Sequence, residues 1–288
     1  QSLVEKTLGM TDLPLLSEPN LQQQLVEIGY QGKKLEELEG LNATEKAKML
    51  FIVQDPYTSY YDAKVVRDFV ALTQKLGFSP ILLPFKPNGK AMHIKGFLAR
   101  FSKTAKTQAE FLNRIAKLNV PLVGVDLGVV RIIKNEYKEA LGDSRGDFHV
   151  LTAHEWLTNQ LDSNTLQSAV KNIAKSDYTF EWHLFPHCTE STFMPNSPKE
   201  WQHIFAQFGQ TLNVEKVGCC GMAGVFGHEV QNQTMSKDIY DVSWGKKLQG
   251  KDPNYCLATG YSCRSQVKRY EKAILKHPVQ ALLEVLNS

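Results

Sequence analysis

Cysteine is scarce in this chain, with five in 288 residues and none before Cys188. So few thiols, gathered in the C-terminal third, exclude the disulfide framework of a small secreted domain. Long apolar runs are also missing. No stretch of about eighteen consecutive apolar residues occurs, so no transmembrane helix is expected. Charge of one sign is not blocked anywhere: 33 Lys and Arg against 30 Asp and Glu give a net charge of +3, and the two signs are interspersed. A nucleic-acid-binding arm or stripe is therefore not expected. The first residues, Gln1-Ser2-Leu3-Val4-Glu5-Lys6, have neither an initiator Met nor the apolar region of a signal peptide. The chain reads as soluble, cytoplasmic and cut from something longer. With 42% apolar and 22% charged residues, it can bury one large core or two modest ones, and two domains or two repeats are the natural expectation.

What the chain does have is a concentrated motif, Val217-Gly218-Cys219-Cys220-Gly221-Met222-Ala223-Gly224, with Cys188 upstream and Cys263 downstream. Adjacent cysteines among glycines can place two soft thiolates on one small centre, and soft sulfur selects zinc or iron-sulfur centres over magnesium or calcium. Alternating short apolar runs and helical stripes supply the framework. Met49–Val53, Pro80–Pro84 and Pro121–Asp126 read as buried strands. Between them lie a helical stripe through Val65, Val66, Phe69, Val70, Leu72 and Leu76 that ends at Gly77, and another through Phe97, Phe101, Ala105, Phe111, Ile115 and Leu118. One helix is expected over residues 128–141.

The second half repeats this order, with strands at Glu181–Phe185, near Val214–Val217 and at Tyr255–Thr259, a helix over residues 200–208 and a polar helix through Met235, Ile239 and Val242. Strands alternating with helices imply an α/β fold of parallel sheets. We expect two repeated parallel-sheet α/β units with helices on both faces, related by a pseudo-two-fold. The expected divisions are a leader with short helices at 1–47, wrapped on the unit that follows, a first repeat at 48–150 and a second at 151–288. Three successive strand ends of the second repeat deliver Cys188, the Cys219/Cys220 pair and Cys263 to one sheet edge, where open α/β sheets bind ligands. These four are the expected metal ligands. Backbone amides of the Gly221 to Gly224 turn are expected to hydrogen-bond the bound group. The first repeat, with Pro56, Pro87-Asn88-Gly89 and Val129 at the equivalent places, is expected to hold no metal.

Three readings stay open for the thiols: a zinc or iron-sulfur site, separately buried thiols, and a redox dithiol at Cys219/Cys220. Cys256 reads as a small buried core residue of its strand. His187 and His228 lie near the cysteines and could each give a nitrogen to zinc, although a lone loop histidine is more often a hydrogen-bonding group. The loop Lys86–His93 could hold an anion on its backbone amides, but a solvated turn is the favoured reading. Asp55 and Asp126 read as helix caps at strand ends. Arg264, Lys268, Arg269 and Lys276 read as a solvated basic face. Tyr57, Tyr60 and Tyr61 could pack in the core or against a neighbouring domain.

The pattern of a Cys after a strand, then Cys-Cys-Gly, then a Cys in a strand-to-helix turn resembles the cysteine-rich domain found in heterodisulfide reductases and in anaerobic glycerol-3-phosphate dehydrogenases, a family with two such repeats. The wording Gly218-Cys219-Cys220-Gly221-Met222-Ala223-Gly224-Val225-Phe226-Gly227-His228-Glu229, then Gly260-Tyr261-Ser262-Cys263-Arg264-Ser265-Gln266, is similar to the C-terminal cysteine-rich region of large FAD-linked 2-hydroxy-acid dehydrogenases of the D-lactate, D-2-hydroxyglutarate and glycolate-oxidase-like type. That family's last motif is often Cys-x-x-Cys, and Gly260 stands here at the first of those positions. The resemblance implies an oxidoreductase domain for electron transfer with a [4Fe-4S] cluster on Cys188, Cys219, Cys220 and Cys263. It further implies FAD-binding and ferredoxin-like partner domains in the same polypeptide, with further [4Fe-4S] centres, and a cytoplasmic placement, peripheral to the membrane through the electron acceptor. The alternative is a structural zinc and domain-docking module of the same enzyme. On either reading the chain alone is not expected to be active.

Overall fold

The computed structural model describes residues 7, 9–38, 40–163, 166 and 180–288. The chain is α/β, and its strands form two fully parallel sheets. It divides into two compact units, one of Ser17–Asn172 and one in which Gln1–Leu16 joins Ile173–Leu286.

In the Ser17–Asn172 unit the strands are β1 (Met49–Val53), β2 (Ser79–Leu82), β3 (Leu122–Gly124) and β4 (Val150–Thr152), in the order β2-β1-β3-β4. Every residue of β1 is buried, as expected of a strand covered on both faces. Its helices are α1 (Leu21–Glu27), α2 (Ala63–Lys75), α3 (Lys90–Ile94), α4 (Leu98–Ala116), α5 (Leu127–Lys134), α6 (Glu136–Leu141) and α7 (Ala153–Asp162). The stripe Val65, Val66, Phe69, Val70 and Leu72 is the buried face of α2, which ends just before left-handed Gly77. The core joins Phe51, Ile81, Leu112, Val130, Tyr137 and Val150.

Two local readings are corrected. The single helix expected over 128–141 divides at Asn135, which ends α5 and opens α6 with a φ of −105° that is wide of the ideal helical value; asparagine is a weak helix former that favours termini. Strand β4 was not expected, because three residues carry too short an alternation to register as a strand. Its end is marked by a capping box in which Thr152 and Glu155 satisfy each other's backbone amides at the start of α7.

The other unit holds β5 (Glu181–Phe185), β6 (Thr211–Val214) and β7 (Cys256–Ala258), in the order β6-β5-β7. Its helices are α8 (Cys188–Phe193), α9 (Ser197–Gln207), α10 (Gln233–Tyr240), α11 (Tyr261–Glu271) and α12 (Pro278–Val285). Strand β6 ends three residues before the expected Val217; Glu215, just beyond it, faces His183 at 3.0 Å and Lys251 at 3.4 Å. The leader is split rather than wrapped wholly on the unit that follows it. Met10 bridges Glu229, and the Thr11 amide donates to the His228 carbonyl at 2.7 Å, while α1 packs on α2.

The two sheets share a grammar. In each, the first strand is central, the second lies on one side and the third on the other. With right-handed crossovers this order sends the two connecting segments to opposite faces. The loops leaving β1 and β3, and likewise β5 and β7, then diverge and open a crevice at the carboxyl ends of the strands, the topological switch point where such sheets bind ligands.

Candidate thiolate site

The crevice beyond β5 and β7 is where the cysteines gather. Cys188 opens α8 directly after the β5 turn, Cys219 and Cys220 lie in the loop after β6, and Cys263 sits in the first turn of α11 after β7. The thiols form one hydrogen-bonded chain in the order Cys188, Cys219, Cys220, Cys263. Cys219 accepts from both Cys188 and Cys220, and the Gly221 amide donates to its Sγ at 3.3 Å. These donors, the Cys188 thiol first, pull the Cys219 thiol far below its ordinary range. Its two neighbours move the other way, Cys188 and Cys220 both being raised, first of all by their hydrogen bonds to Cys219. Cys188 and Cys219 are half-buried, whereas Cys220 and Cys263 are buried.

Cys256 does not belong to the chain of thiols. It is fully buried in β7, and burial pushes its thiol up to about 11, in line with a core role. Of the two histidines, His187 lies at the site, against Gly260, whereas His228 turns to the leader. His187 caps α8: its Nδ1 accepts from the Thr189 amide at 3.2 Å, and its Nε2 is 3.3 Å from Ser262 Oγ. An Nδ1 that accepts from an amide carries no proton in the neutral ring, so the proton rests on Nε2 and neither nitrogen keeps a free lone pair. His228 Nδ1 instead faces the Thr11 carbonyl at 3.3 Å.

Gly260 is the reason His187 fits. A Cβ at this position would lie 2.3 Å from His187 Cδ2 and 3.1 Å from Cys263 Sγ, so the imidazole occupies the room a side chain would need. Of the two glycines expected at the bound group, Gly221 has its amide on a sulfur, and Met222 next to it donates its amide to Cys220. Gly224, at φ 72°, is exposed at the outside of the turn.

Side chains that the sequence did not mark hold this loop. Ser243 Oγ accepts from the Gly218 amide at 2.7 Å, and Trp244 Nε1 donates to the Gly218 carbonyl at 3.1 Å. Gln266 Nε2 donates to the Cys220 carbonyl at 2.9 Å, and Ser236 Oγ to the Gly221 carbonyl at 2.8 Å. The signal available in the sequence was Gln266 three residues after Cys263, one turn on along the same helix face.

The basic residues of α11 are not a solvated face. Arg264 is buried and donates from Nη1 to the Ala258 carbonyl at 2.9 Å. Arg269 donates to the Gly227 carbonyl and to Gln233, and its Nε lies 3.3 Å from Asp12. Lys276 lies beyond the helix and pairs with Glu284; only Lys268 is exposed.

The equivalent crevice of the Ser17–Asn172 unit is filled differently. Strand register fixes the correspondence: Ile52 pairs with Leu82 and Val53 with Gly124, as Leu184 pairs with Val214 and Phe185 with Ala258. Counting outward from these ends, Pro56 falls at the place of Cys188, Pro87-Asn88-Gly89 at Cys219-Cys220-Gly221, and Val129 at Cys263. Gly89 and Gly221 are both left-handed, with φ of 77° and 83°. Asp55 and Asp126 then stand where His187 and Gly260 do.

Lys90 enters this crevice, its Nζ 3.4 Å from Asp126 Oδ1 and 5.1 Å from the centre of the Tyr57 ring. Gly128 leaves room for the ammonium, since a Cβ there would lie 2.4 Å from Lys90 Nζ. Asp126 also caps α5 by accepting from the Val129 amide at 2.9 Å, as expected. Asp55 accepts from the Tyr57 and Thr58 amides at 2.8 and 3.0 Å, and burial, then the Asp126 charge, raise its carboxyl to about 6. The Lys86–His93 loop is therefore not a solvated turn. Asn88 is buried, and the Tyr137 hydroxyl donates to its carbonyl at 2.8 Å. Tyr57 packs inward, whereas Tyr60 and Tyr61 are exposed.

Soft thiols in a compact set are the donor chemistry of zinc and iron-sulfur centres. As they stand, no three His, Cys, Asp or Glu side chains among the described residues could hold a metal ion. The thiols share hydrogen bonds with one another, so ligation would require loss of the shared protons.

No family model matches the chain. It is 79% identical over 287 residues to a Haemophilus influenzae protein named D-2-hydroxyglutarate dehydrogenase, which covers all of this chain and 28% of the relative. Proteins of the same name from Escherichia coli and Pseudomonas putida are 55% and 36% identical over 287 and 284 residues, each covered over 27% of its own length. The chain thus spans little more than a quarter of the length of the curated relatives it matches.

Proposed function

The chain is homologous over its whole length to one segment of the D-2-hydroxyglutarate dehydrogenases, and on that premise we propose that it is the thiolate-bearing electron-transfer domain of a 2-hydroxy-acid oxidoreductase. Cys188, Cys219, Cys220 and Cys263 would hold the redox centre, and the Gly221 and Met222 amides would donate to its sulfurs. The observation that carries this reading is the convergence of two thiols and an amide on Cys219 at the switch point of a parallel sheet. A [4Fe-4S] cluster held there would pass single electrons, with its potential tuned by amide donors and burial. The chemistry of the hydroxy acid, with its FAD and ferredoxin-like centres, belongs on this reading to other domains of the same polypeptide. Among the described residues no helix is long and apolar enough to cross a membrane.

A second reading, a structural zinc, is favoured by one observation: Cys220 and Cys263 are part of the apolar core with Phe185, Trp244 and Val267. A four-thiolate zinc closed off from solvent would stabilise the fold without any electron role. Electron paramagnetic resonance separates the two readings. The anaerobically purified, dithionite-reduced chain is expected to give an iron-sulfur signal that disappears in Cys219→Ser/Cys220→Ser and persists in Cys256→Ser. A signal that survives the double substitution contradicts the assignment.

A further inference from the structure

We propose that Glu190 is the positioning residue of the thiolate site: its buried carboxylate latches the turn that carries Cys188 to the strand end that leads into Cys263. The inference rests on the reading of the four cysteines as a metal-holding set.

Glu190 is the third residue of α8 and is 0% exposed. Its Oε2 accepts from the His187 amide at 3.3 Å and from the Thr259 hydroxyl, and its Oε1 accepts from the Ser197 hydroxyl. The Thr259 hydroxyl also accepts from the His187 amide, at 3.0 Å. One hydroxyl thus bridges the two loops of the crevice, taking a bond from the β5 turn and giving one to the carboxylate on α8. Thr259 directly follows β7 and precedes Gly260, on which the His187 ring rests. Cys188 and Cys263 are each held within a few residues of this bridge.

Helix capping alone does not account for the arrangement. The same chain has capping boxes at Asn20/Gln23, Asn42/Glu45, Thr152/Glu155 and His277/Gln280. In all four the returning Glu or Gln is exposed or half-buried, and only Glu190 among these capping residues is fully buried. Burying a carboxylate is costly unless its lone pairs are filled. Here they are filled by donors from three separate elements, the β5 turn, the end of β7 and the start of α9. A group that costs so much to bury, and that joins the two loops bearing outer members of the thiol chain, fixes the separation across which those thiols must meet a common centre. Outer partners of this kind typically change metal affinity 10- to 100-fold when removed.

The test is a titration of the reduced, metal-free full chain with cobalt(II) under anaerobic conditions. It is followed by the near-ultraviolet thiolate-to-cobalt band, with far-ultraviolet circular dichroism confirming the fold. Thr259→Val and Glu190→Gln are each expected to weaken cobalt(II) binding by about 10- to 100-fold and to shift the band. Thr259→Ser, which restores the bridging hydroxyl, is expected to recover wild-type affinity and spectrum. If Glu190→Gln does not fold, the Thr259→Val and Thr259→Ser pair decides. A folded Thr259→Val chain that binds cobalt(II) as the wild type does, or a Thr259→Ser chain as weak as Thr259→Val, overturns the role of Glu190 and leaves the thiolate site intact. A wild-type chain with no thiolate-to-cobalt band overturns the thiolate site itself, and the latch with it.

Discussion

A Lys90→Met chain is expected to be about 3–5 kcal/mol less stable than the wild type at neutral pH, the range for removing one partner of a buried ion pair. The substitution keeps the length of the side chain and deletes the ammonium that lies 3.4 Å from Asp126 and over Tyr57. Asp55 and Asp126 then face each other across the crevice without a cation. The deficit should shrink on acidification. The Asp55 carboxyl is raised from 3.8 to about 6 by burial and by Asp126, and the Lys90 charge opposes that rise. A carboxyl with a raised folded value binds its proton more tightly in the folded chain than in the unfolded one. It therefore stabilises the fold at low pH, and this stabilisation is lost as pH rises from the ordinary value through about 6. Without Lys90 the folded value rises further, so the loss is larger at neutral pH and smaller near pH 5. Urea unfolding at the two pH values checks this; an equal deficit at both contradicts the ion-pair account of the crevice.

Gly221→Ala is expected to be the more damaging of two matched substitutions. A Cβ at Gly221 would lie 2.2 Å from the Ser236 carbonyl oxygen, which is backbone of α10 and cannot rotate aside. The left-handed φ of 83° adds its own cost. Together the backbone strain, about 1–2 kcal/mol, and the overpacking, about 1–3 kcal/mol, predict a loss of about 2–5 kcal/mol. The Cys219-Cys220 loop would be displaced from its clamps at Gln266 and Ser236. Gly89→Ala at the corresponding place in the other unit meets side chains alone, the Phe101 ring at 2.8 Å and Thr104 Cβ at 3.6 Å, and a side chain can give way. Comparing unfolding free energies of the two variants tests this order. A Gly89→Ala loss equal to or greater than that of Gly221→Ala contradicts it.

The gathering of the cysteines was legible because it depends only on topology. Parallel strands alternating with helices bring all their carboxyl ends to one edge, so a Cys after each of three strands must arrive there together. The equivalence of Pro87-Asn88-Gly89 with Cys219-Cys220-Gly221 was legible for the same reason, and the left-handed glycines fall at the same count from the strand ends. What the sequence did not show depends on partners distant along the chain. The latch joins Glu190 to Thr259 over 69 residues, and Gln266 reaches Cys220 over 46. Lys90 and Asp126 were visible separately as a loop lysine and a helix cap; their pairing needed the crevice between β1 and β3. Arg264 and Arg269 had the composition of a solvated face, but their guanidinium groups turn back onto the carbonyls of Ala258 and Gly227. Helical spacing alone cannot register that choice of rotamer.

The thiolate site is the centre of the account, and iron, zinc and acid-labile sulfide analysis of the anaerobically purified chain tests it most directly. Iron and sulfide are expected in near-equal amounts, both lost from Cys219→Ser/Cys220→Ser and both kept by Cys256→Ser. Zinc without sulfide would assign the four thiols to a structural centre and remove the electron-transfer role. Neither metal in the wild-type chain, or metal that the double substitution leaves in place, would contradict the site built from Cys188, Cys219, Cys220 and Cys263.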